Sequence, residues 1–235
     1  MTPAPGPDLG QKSTELADLL SRIEPADDES ARAAREWQLR LTKPPGSLGR
    51  IEDVSVALAG LAGTCPPPVP SPAAVAVFAA DTGVHAQGVT PWPQLVTAQM
   101  VGNFLAGGAA VNVLAASTGA SVTVVDVGVA TPIEDPSGPG SGPQLRRHPV
   151  RAGSRDFTEE AALTREEVLE ALLLGASAAA DLVAAGARCL IPGDMGIANT
   201  TPSAALVAVF TGTDAAAVTG RGTGVDDETL ARKID

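Results

Sequence analysis

The sequence predicts an α/β fold in which a parallel sheet with flanking helices follows a smaller, all-helical N-terminal segment. Two short and nearly continuous apolar runs, at residues 73–81 and 121–129, are typical of strands that are buried on both faces, and RCLIPGD at 188–194 indicates a third strand. Helical patterns separate these runs, and strands that alternate with helices indicate a parallel sheet. Before residue 64 the chain shows only helical periodicity, which sets the N-terminal segment apart from the sheet.

The N-terminal segment is predicted to contain three helices behind a flexible, proline-rich lead-in over residues 1–12. The helical patterns cover residues 13–23, 28–42 and 49–63. Asp27 and Asp28 are candidate caps of the second helix. Ser47, which follows the rigid turn Pro44–Gly46, is a candidate cap of the third.

A proline-rich linker divides the chain at residues 64–72, TCPPPVPSP. Consecutive prolines lack N–H donors and restrict the residues before them, so this stretch cannot be helical. We therefore expect a helical domain segment at 13–63 and an α/β domain at 73–235.

The other elements of the α/β domain alternate with the strands. Loops are predicted at 82–95 and 131–157, and helices at 96–118, 164–186 and 201–212. Thr164 and Glu167 form a capping box at the start of one helix, and Gly186 is a candidate stop at its end.

The last twelve residues, GVDDETLARKID, begin a helical pattern with acidic residues in its first turn but carry no stop signal. The sheet also has few evident strands. We therefore expect the α/β domain to be incomplete at its C-terminus.

Composition limits the classes of function. The net charge of −11 and the pI of about 4.6 argue against nucleic acid or an anionic membrane as a partner. Cys65 and Cys189 are too few for a disulfide framework, and His85 and His148 lack zinc-ligand spacing, so we expect no metal site. The N-terminus lacks the features of a signal peptide, and no stretch looks transmembrane. A cytoplasmic protein is expected.

Ligands of open parallel α/β sheets bind beyond the carboxyl ends of the strands. The segments after the three predicted strands are 79–100, 125–129 and 192–205. In the last of these, Gly193 and Gly196 permit a close approach of backbone to ligand, and Asp194 is a candidate acceptor for a sugar hydroxyl. The small polar residues Asn199–Thr201 precede a helix N-terminus, which favours phosphate. The alternative is an ordinary strand-to-helix turn that is capped by threonine.

Other residues near the strand ends have two interpretations. Asp81 and Asp126 either contact a ligand or cap the turns that follow them. Trp92, between two prolines, either stacks on a flat ring or fills the core. His85 is either an acid–base group or a surface residue, and GRGTG at 220–224 is by itself a flexible turn.

Several motifs occur together and in order. They are KPPGSLGRIE (43–52), FAADTGV (78–84), GVTPWPQLVTAQMVGNFLAGGAAVNVLA (88–115), VVDVGV (124–129), GDMGIANTTPSAAL (193–206) and GRGTGVDDETLARK (220–233). With them the chain resembles the nicotinate-nucleotide–dimethylbenzimidazole phosphoribosyltransferase family of cobalamin biosynthesis, from about residue 13 to the end.

The resemblance implies a Rossmann-like α/β fold, a smaller domain built from N- and C-terminal segments, and a homodimer. It implies transfer of the phosphoribosyl group from nicotinate mononucleotide to 5,6-dimethylbenzimidazole, which releases nicotinate and gives α-ribazole 5′-phosphate with inversion at the anomeric carbon. No metal or organic cofactor is implied. A carboxylate base would take the second N–H proton of the benzimidazole.

The resemblance also implies site residues. Those at the nucleotide are Asp194, Gly196, Asn199, Thr200, Thr201 and Lys233. Those beside the benzimidazole are Trp92, Gln99, Met100 and Met195, with Asp81 and Asp126 as further pocket candidates. It favours Lys233 over Lys43 as the phosphate ligand.

Three departures from the family pattern bear on activity. Asp194 stands where glutamate is usual, and Thr82 stands where histidine is usual. The family's catalytic glutamate corresponds to no residue of this chain, because it lies beyond the position of Asp235. The leading hypothesis is therefore an enzyme of this family or a large fragment of one. The alternatives are a non-catalytic binding module for nicotinate mononucleotide or a benzimidazole, and an α/β phosphosugar enzyme of another type.

Overall fold

The structure is a computed structural model that describes residues 9–134 and 142–235. Residues 1–8 of the predicted lead-in lie outside the described residues. Residues 135–141 of the loop predicted at 131–157 also lie outside them. The chain divides into two compact units. One holds residues 14–70, and the other holds the described residues before and after that range.

Three helices occupy the N-terminal part. They are α1 (Leu9–Ser21), α2 (Asp28–Gln38) and α3 (Arg50–Ala62). Asp27 caps α2 as predicted, since its carboxylate accepts hydrogen bonds from the backbone N–H groups of Glu29 and Ser30. Helix α2 ends at Gln38, four residues before the predicted end at residue 42.

The predicted cap of α3 is wrong. Gly49, with a φ of 55°, occupies the N-cap position, while Ser47 lies in the preceding turn. The carboxylate of Glu52 instead accepts the N–H of Leu48 at 3.1 Å and the ammonium of Lys43 at 2.7 Å. Lys43 is thus held within its own turn by Glu52.

Within the described part of the chain, four parallel strands form one sheet, which confirms the predicted α/β class. They are β1 (Ala73–Ala80), β2 (Ser121–Gly128), β3 (Gln144–Arg147) and β4 (Cys189–Met195), in the spatial order β3-β2-β1-β4. Strand β3 falls within the predicted loop at 131–157, because its sequence QLRR has no apolar run. Strand β4 confirms the strand predicted at 188–194; it lies at one end of the strand order of the described residues, and its Leu190 and Ile191 are exposed.

Helices flank the sheet. They are α4 (Val96–Leu105), α5 (Ala110–Thr118), α6 (Arg165–Ala184), α7 (Thr200–Thr211), α8 (Ala215–Val218) and α9 (Asp227–Ile234), together with a 3-10 helix at Gly83–Gln87. The capping box predicted for α6 is confirmed: the N–H of Glu167 bonds to Oγ1 of Thr164 at 3.2 Å, and the N–H of Thr164 bonds to Oε2 of Glu167 at 2.7 Å.

The helix predicted over residues 96–118 is two helices. Asn112 explains the break, because its Oδ1 accepts the N–H of Ala109 at 3.2 Å and its Nδ2 donates to the carbonyl of Phe104 at 2.9 Å. Both groups belong to helix ends, so one buried amide side chain satisfies the end of α4 and the start of α5.

The same stretch, 96–118, is long and apolar enough to cross a membrane by length and composition alone, with a mean hydropathy of 1.4. The expectation that no segment has this character is therefore corrected. In the structure its apolar side chains serve the core: Val101, Phe104, Leu105 and Ala115 pack in one buried cluster with residues of β1 and β2.

Residues 9–12 are the first turn of α1, not part of a flexible lead-in. Lys12 is buried, and its ammonium lies 3.3 Å from Oε1 of Glu166 and 3.0 Å from Oε2 of Glu170. The hydrogen bond to Glu170, and after it the one to Glu166, raises the pKa of Lys12. Two carboxylates on α6 thus bind this turn.

Candidate functional site

A small cavity of about 80 Å³ lies at the N-terminal end of α7. Three segments line it: the loop after β1, the turn between β4 and α7, and the chain from residue 221 into α9. Its lining residues are Val89, Thr90, Gly196, Ile197, Ala198, Asn199, Thr200, Arg221, Gly222, Thr223, Val225 and Lys233. The fold therefore brings Gly196, Asn199, Thr200 and Lys233 together.

Lys233 supplies a buried cation to this cavity. Its ammonium donates to Oγ1 of Thr200 at 2.8 Å and to the carbonyl oxygen of Gly220 at 3.0 Å. No carboxylate among the described residues forms an ion pair with Lys233, and burial lowers its pKa. A buried ammonium without a counter-ion favours an anionic ligand, because a ligand charge would compensate the lost hydration.

The N-terminus of α7 adds a second source of positive potential. Asn199 is the N-cap residue, but its side chain makes no capping hydrogen bond. Its Nδ2 instead donates to Oδ2 of Asp194 at 2.6 Å. The threonine cap of the alternative interpretation is not observed: Thr200 accepts from Lys233, and the buried hydroxyl of Thr201 has no partner among the described residues. The first N–H groups of such a helix end favour an anionic ligand.

The turn between β4 and α7 is held close to β1. A Cβ on Gly196 would overlap the carbonyl oxygen of Ala80, so only glycine fits there. The N–H of Ile197 donates to Oγ1 of the fully buried Thr97 at 3.0 Å, and Ala198 has a φ of 73°. Gly196 is therefore required because the turn after β4 packs against the end of β1. The same packing fixes the position of the turn that lines the cavity.

Asp81 and Asp126 are both buried at the carboxyl ends of their strands. Oδ1 of Asp126 accepts the N–H groups of Gly128 at 3.1 Å and Val129 at 2.9 Å, so this carboxylate caps the turn after β2. Oδ2 of Asp81 accepts the N–H of Ala130 at 2.8 Å. Its Oδ1 has no partner among the described residues. Neither aspartate lines the small cavity.

The side chains predicted to lie beside a benzimidazole do not line the small cavity either. Trp92 is half exposed, which contradicts the core-filling interpretation. Its carbonyl oxygen lies 2.8 Å from Nε2 of His85. Gln99 is exposed on α4, whereas Met100 and Met195 pack against the same buried core cluster.

A larger cavity of about 590 Å³ lies beside the ends of β1 and β2 and against α6 and α7. Its lining is mainly apolar and includes Phe157, Leu163, Val168, Leu206 and Val209. Asp81 and Thr82 border it, and the buried hydroxyl of Thr82 has no partner among the described residues.

The GRGTG segment supplies two site residues that sequence reasoning did not place. Arg221 lines the small cavity, donates to the carbonyl of Val225 at 2.8 Å and pairs with Asp227. Gly222 has a φ of 54°, and a Cβ there would lie 3.5 Å from the ammonium of Lys233. The repeated glycines were the available signal, but spacing alone did not connect them to Lys233.

Among residues 9–134 and 142–235, no group of three or more His, Cys, Asp or Glu side chains is placed to hold a metal ion. The polar groups of the small cavity are instead an ammonium, hydroxyls, an amide and a guanidinium.

A family model described as phosphoribosyltransferase matches residues 23–235. The chain belongs to this family. The resemblance that the motifs indicated is thereby confirmed, and the match covers every residue that lines the small cavity.

Curated relatives carry a more specific name. A protein of Salinispora tropica, named nicotinate-nucleotide–dimethylbenzimidazole phosphoribosyltransferase, is 60% identical over 228 residues. One of Deinococcus radiodurans with the same name is 51% identical over 234 residues. These matches cover 94% and 97% of the chain, but the chain spans only 63% and 62% of the length of the two relatives.

Solved structures agree with the fold. The crystal structure of CobT from Thermus thermophilus is 47% identical and superposes with a TM-score of 0.80. It covers 88% of this chain, and the chain covers 60% of it. The fold is thus shared with a solved structure whose chain is longer than this one.

Proposed function

We propose that this chain carries the nucleotide-binding site of an enzyme that transfers the phosphoribosyl group of nicotinate mononucleotide to 5,6-dimethylbenzimidazole, in cobalamin biosynthesis. The observation that carries the proposal is the buried, uncompensated ammonium of Lys233 beside the N-terminus of α7, in a chain that is 60% identical to a relative with that name. The products would be nicotinate and α-ribazole 5′-phosphate.

The 5′-phosphate of the nucleotide would occupy the small cavity. Lys233 would contribute charge, Thr200 a hydroxyl, and the start of α7 its free N–H groups. Thr201 adds a buried hydroxyl behind this end of the helix. A cavity of about 80 Å³ suits a phosphate but not a whole nucleotide, so the ribose and nicotinate would extend outward. Asn199 lines the cavity, and its Nδ2 donates to Asp194 at 2.6 Å, whose carboxylate is suited to a ribose hydroxyl.

The benzimidazole would bind beside the loop that carries Trp92, with Gln99, Met100 and Met195 completing its surroundings. The half-exposed indole of Trp92 is available for stacking on a flat ring. Asp81, with an unpartnered Oδ1 at the end of β1, is the buried carboxylate nearest in sequence to this loop. Holding both substrates face to face would supply much of the rate enhancement through orientation.

The chemistry needs little activation of the leaving group, because the ring nitrogen of nicotinate is cationic while it is bonded to ribose. The attacking benzimidazole must lose a proton, and a positioned carboxylate would accept it. We assign the role of catalytic base to none of the described residues.

A second candidate is a binding module that holds nicotinate mononucleotide or a benzimidazole without turnover. Two departures that the resemblance indicates favour it: Asp194, here hydrogen-bonded to Asn199, in place of the usual glutamate, and Thr82 in place of the usual histidine. For either candidate we propose a cytoplasmic homodimer, with domains divided at the linker of residues 64–72.

One experiment separates the two candidates. The chain is mixed with nicotinate mononucleotide and dimethylbenzimidazole, nicotinate release is followed, and the binding of each substrate is measured by calorimetry. Turnover well above the uncatalysed rate excludes the binding module. Binding without turnover excludes catalysis by this chain alone. The Lys233→Met variant is the matched control, since it should bind the nucleotide weakly in either case.

A further inference from the structure

Two consecutive cations of α9 contact different parts of the molecule. The ammonium of Lys233 faces the small cavity, whereas the guanidinium of Arg232 extends to the loop after β1. Its Nη1 donates to the carbonyl oxygen of Gly88 at 2.7 Å, across 144 residues of sequence. Its Nη2 donates to Oε1 of Glu228, one turn earlier in α9, at 3.1 Å. The carboxylate of Glu228 thus orients the arginine toward the loop.

Gly88 occupies a position that shapes this loop. It ends the 3-10 helix Gly83–Gln87 with a φ of 65°, and its N–H donates to the carbonyl of His85 at 3.1 Å. A Cβ on Gly88 would lie 3.3 Å from Nη1 of Arg232. Glycine therefore permits both the turn and the close approach of the guanidinium.

The residues after Gly88 connect the arginine to both parts of the proposed site. Val89 and Thr90 line the small cavity, and Trp92 follows two residues later. The carbonyl of Trp92 is held in turn by the ring of His85 at 2.8 Å. The loop is therefore fixed at two points, by Arg232 at Gly88 and by His85 at Trp92, with cavity-lining residues between them.

We infer that Arg232 is a positioning residue that couples occupancy of the anion cavity to the placement of the Trp92 loop. An anion at Lys233 stabilises the position of α9, and Arg232 transmits that position to the loop through the carbonyl of Gly88. Linkage is reciprocal, so a ring stacked on Trp92 strengthens anion binding by the same factor. The assignment of the ring as a benzimidazole rests on the proposed function, but the coupling between cavity and loop does not.

The test follows the intrinsic fluorescence of Trp92, which lies in the loop that is proposed to respond. The chain has two tryptophans, Trp37 and Trp92, so Trp37→Phe leaves one. In that background, inorganic phosphate and nicotinate mononucleotide are titrated while Trp92 fluorescence is followed. Arg232→Ala should abolish most of the fluorescence response and weaken benzimidazole binding in saturating phosphate about tenfold. Phosphate affinity measured without a benzimidazole should change less than twofold. Arg232→Lys should retain part of the response.

A matched control is available directly after α1. Arg22 forms an exposed pair with Asp18 at the same i,i+4 spacing as Arg232 with Glu228, and its Nε donates to the backbone carbonyl of the same Asp18. Arg22→Ala should leave fluorescence response and affinities unchanged. An equal effect of Arg22→Ala and Arg232→Ala would contradict the inference, since it would indicate only a general loss of helix stability.

A second measurement needs no ligand. Hydrogen exchange of a peptide that covers residues 83–93 should be faster in Arg232→Ala than in the wild type, while a peptide within α6 should exchange equally in both. Unchanged exchange at 83–93 would overturn the inference. An equally large loss of phosphate affinity measured without a benzimidazole would also overturn it, because it would make Arg232 an anion ligand. If the wild type binds no benzimidazole, the proposed function fails, but the exchange result still decides the role of Arg232.

Discussion

The ammonium of Lys233 lies 2.8 Å from the hydroxyl oxygen of Thr200, although 33 residues separate them in sequence. This hydrogen bond joins α9 to the first residue of α7. It places a buried cation at the positive end of a helix, where like charge is unfavourable. The arrangement is stabilised once an anion binds, and the first two predictions follow from it.

Replacing Lys233 should weaken phosphate binding selectively. For Lys233→Met we expect at least a tenfold loss in affinity for nicotinate mononucleotide by calorimetry, and a weaker dependence of affinity on salt than in the wild type. Lys43→Met is the matched control, because the ammonium of Lys43 already pairs with Glu52 at 2.7 Å. Equal losses in the two variants would refute the assignment of Lys233.

Anion binding should also draw a proton into the site. Burial lowers the pKa of Lys233 below its ordinary value of 10.5, and a bound anion raises it again by favouring the charged form. We consider a pH between the pKa of Lys233 in the free protein and its pKa in the anion-bound protein. At this pH sulfate does not titrate, and its binding should be accompanied by proton uptake at Lys233. Calorimetry in buffers of different ionisation enthalpy measures this uptake. Lys233→Met should show none, and an equal uptake in that variant would contradict the prediction.

The pair of Arg155 and Glu167 should make stability depend on pH. Hydrogen bonds from Arg155, then from the N–H of Thr164, lower the pKa of Glu167 from 4.5 to about 2. The stabilisation by ionised Glu167 is therefore complete above pH 4.5 and is lost as the pH falls toward 2. Glu167→Gln keeps an amide oxygen for Thr164 but loses the charge. Urea midpoints of the two proteins should differ at pH 6 and converge near pH 2. A difference that is independent of pH would disprove the mechanism.

Gly196 should tolerate no side chain. In Gly196→Ala the new Cβ overlaps the carbonyl oxygen of Ala80, and we expect a loss of about 1–3 kcal/mol in the free energy of unfolding, as for other overpacked sites. Phosphate affinity should fall as well, because the turn between β4 and α7 lines the cavity. Gly175→Ala is the control: this position of α6 has open space for a Cβ, and alanine should stabilise the helix by about 0.5–1 kcal/mol. Unchanged stability of Gly196→Ala would show that the turn can relax.

The element types were largely predictable because their signals are local. The capping box of Thr164 and Glu167 and the cap of Asp27 involve residues two or three apart, so their spacing is visible in the sequence. The apolar run at 73–80 likewise predicts a central strand from its own residues. The site candidates Gly196, Asn199 and Thr200 were found from glycines and small polar residues before a helix, and they line one cavity with Lys233.

Other predictions were wrong or left open because the features concerned depend on partners that are distant in sequence. Strand β3 carries two arginines and is a strand only because β2 pairs with it. The predicted cap at Ser47 failed because the carboxylate of Glu52 binds this turn instead. The placement of Trp92 depended on packing, which leaves it half exposed.

The sequence by itself determined the alternation of strands and helices, several helix ends and the family, because periodicity, capping and motif order are properties of neighbouring residues. Only the tertiary structure decided that β4 is an edge strand, that Lys233 is a buried cation beside Thr200, and that Arg232 binds the carbonyl of Gly88. The physical reason is that burial, desolvation and hydrogen bonds across 33 or 144 residues arise from packing. No local spacing in the chain encodes them.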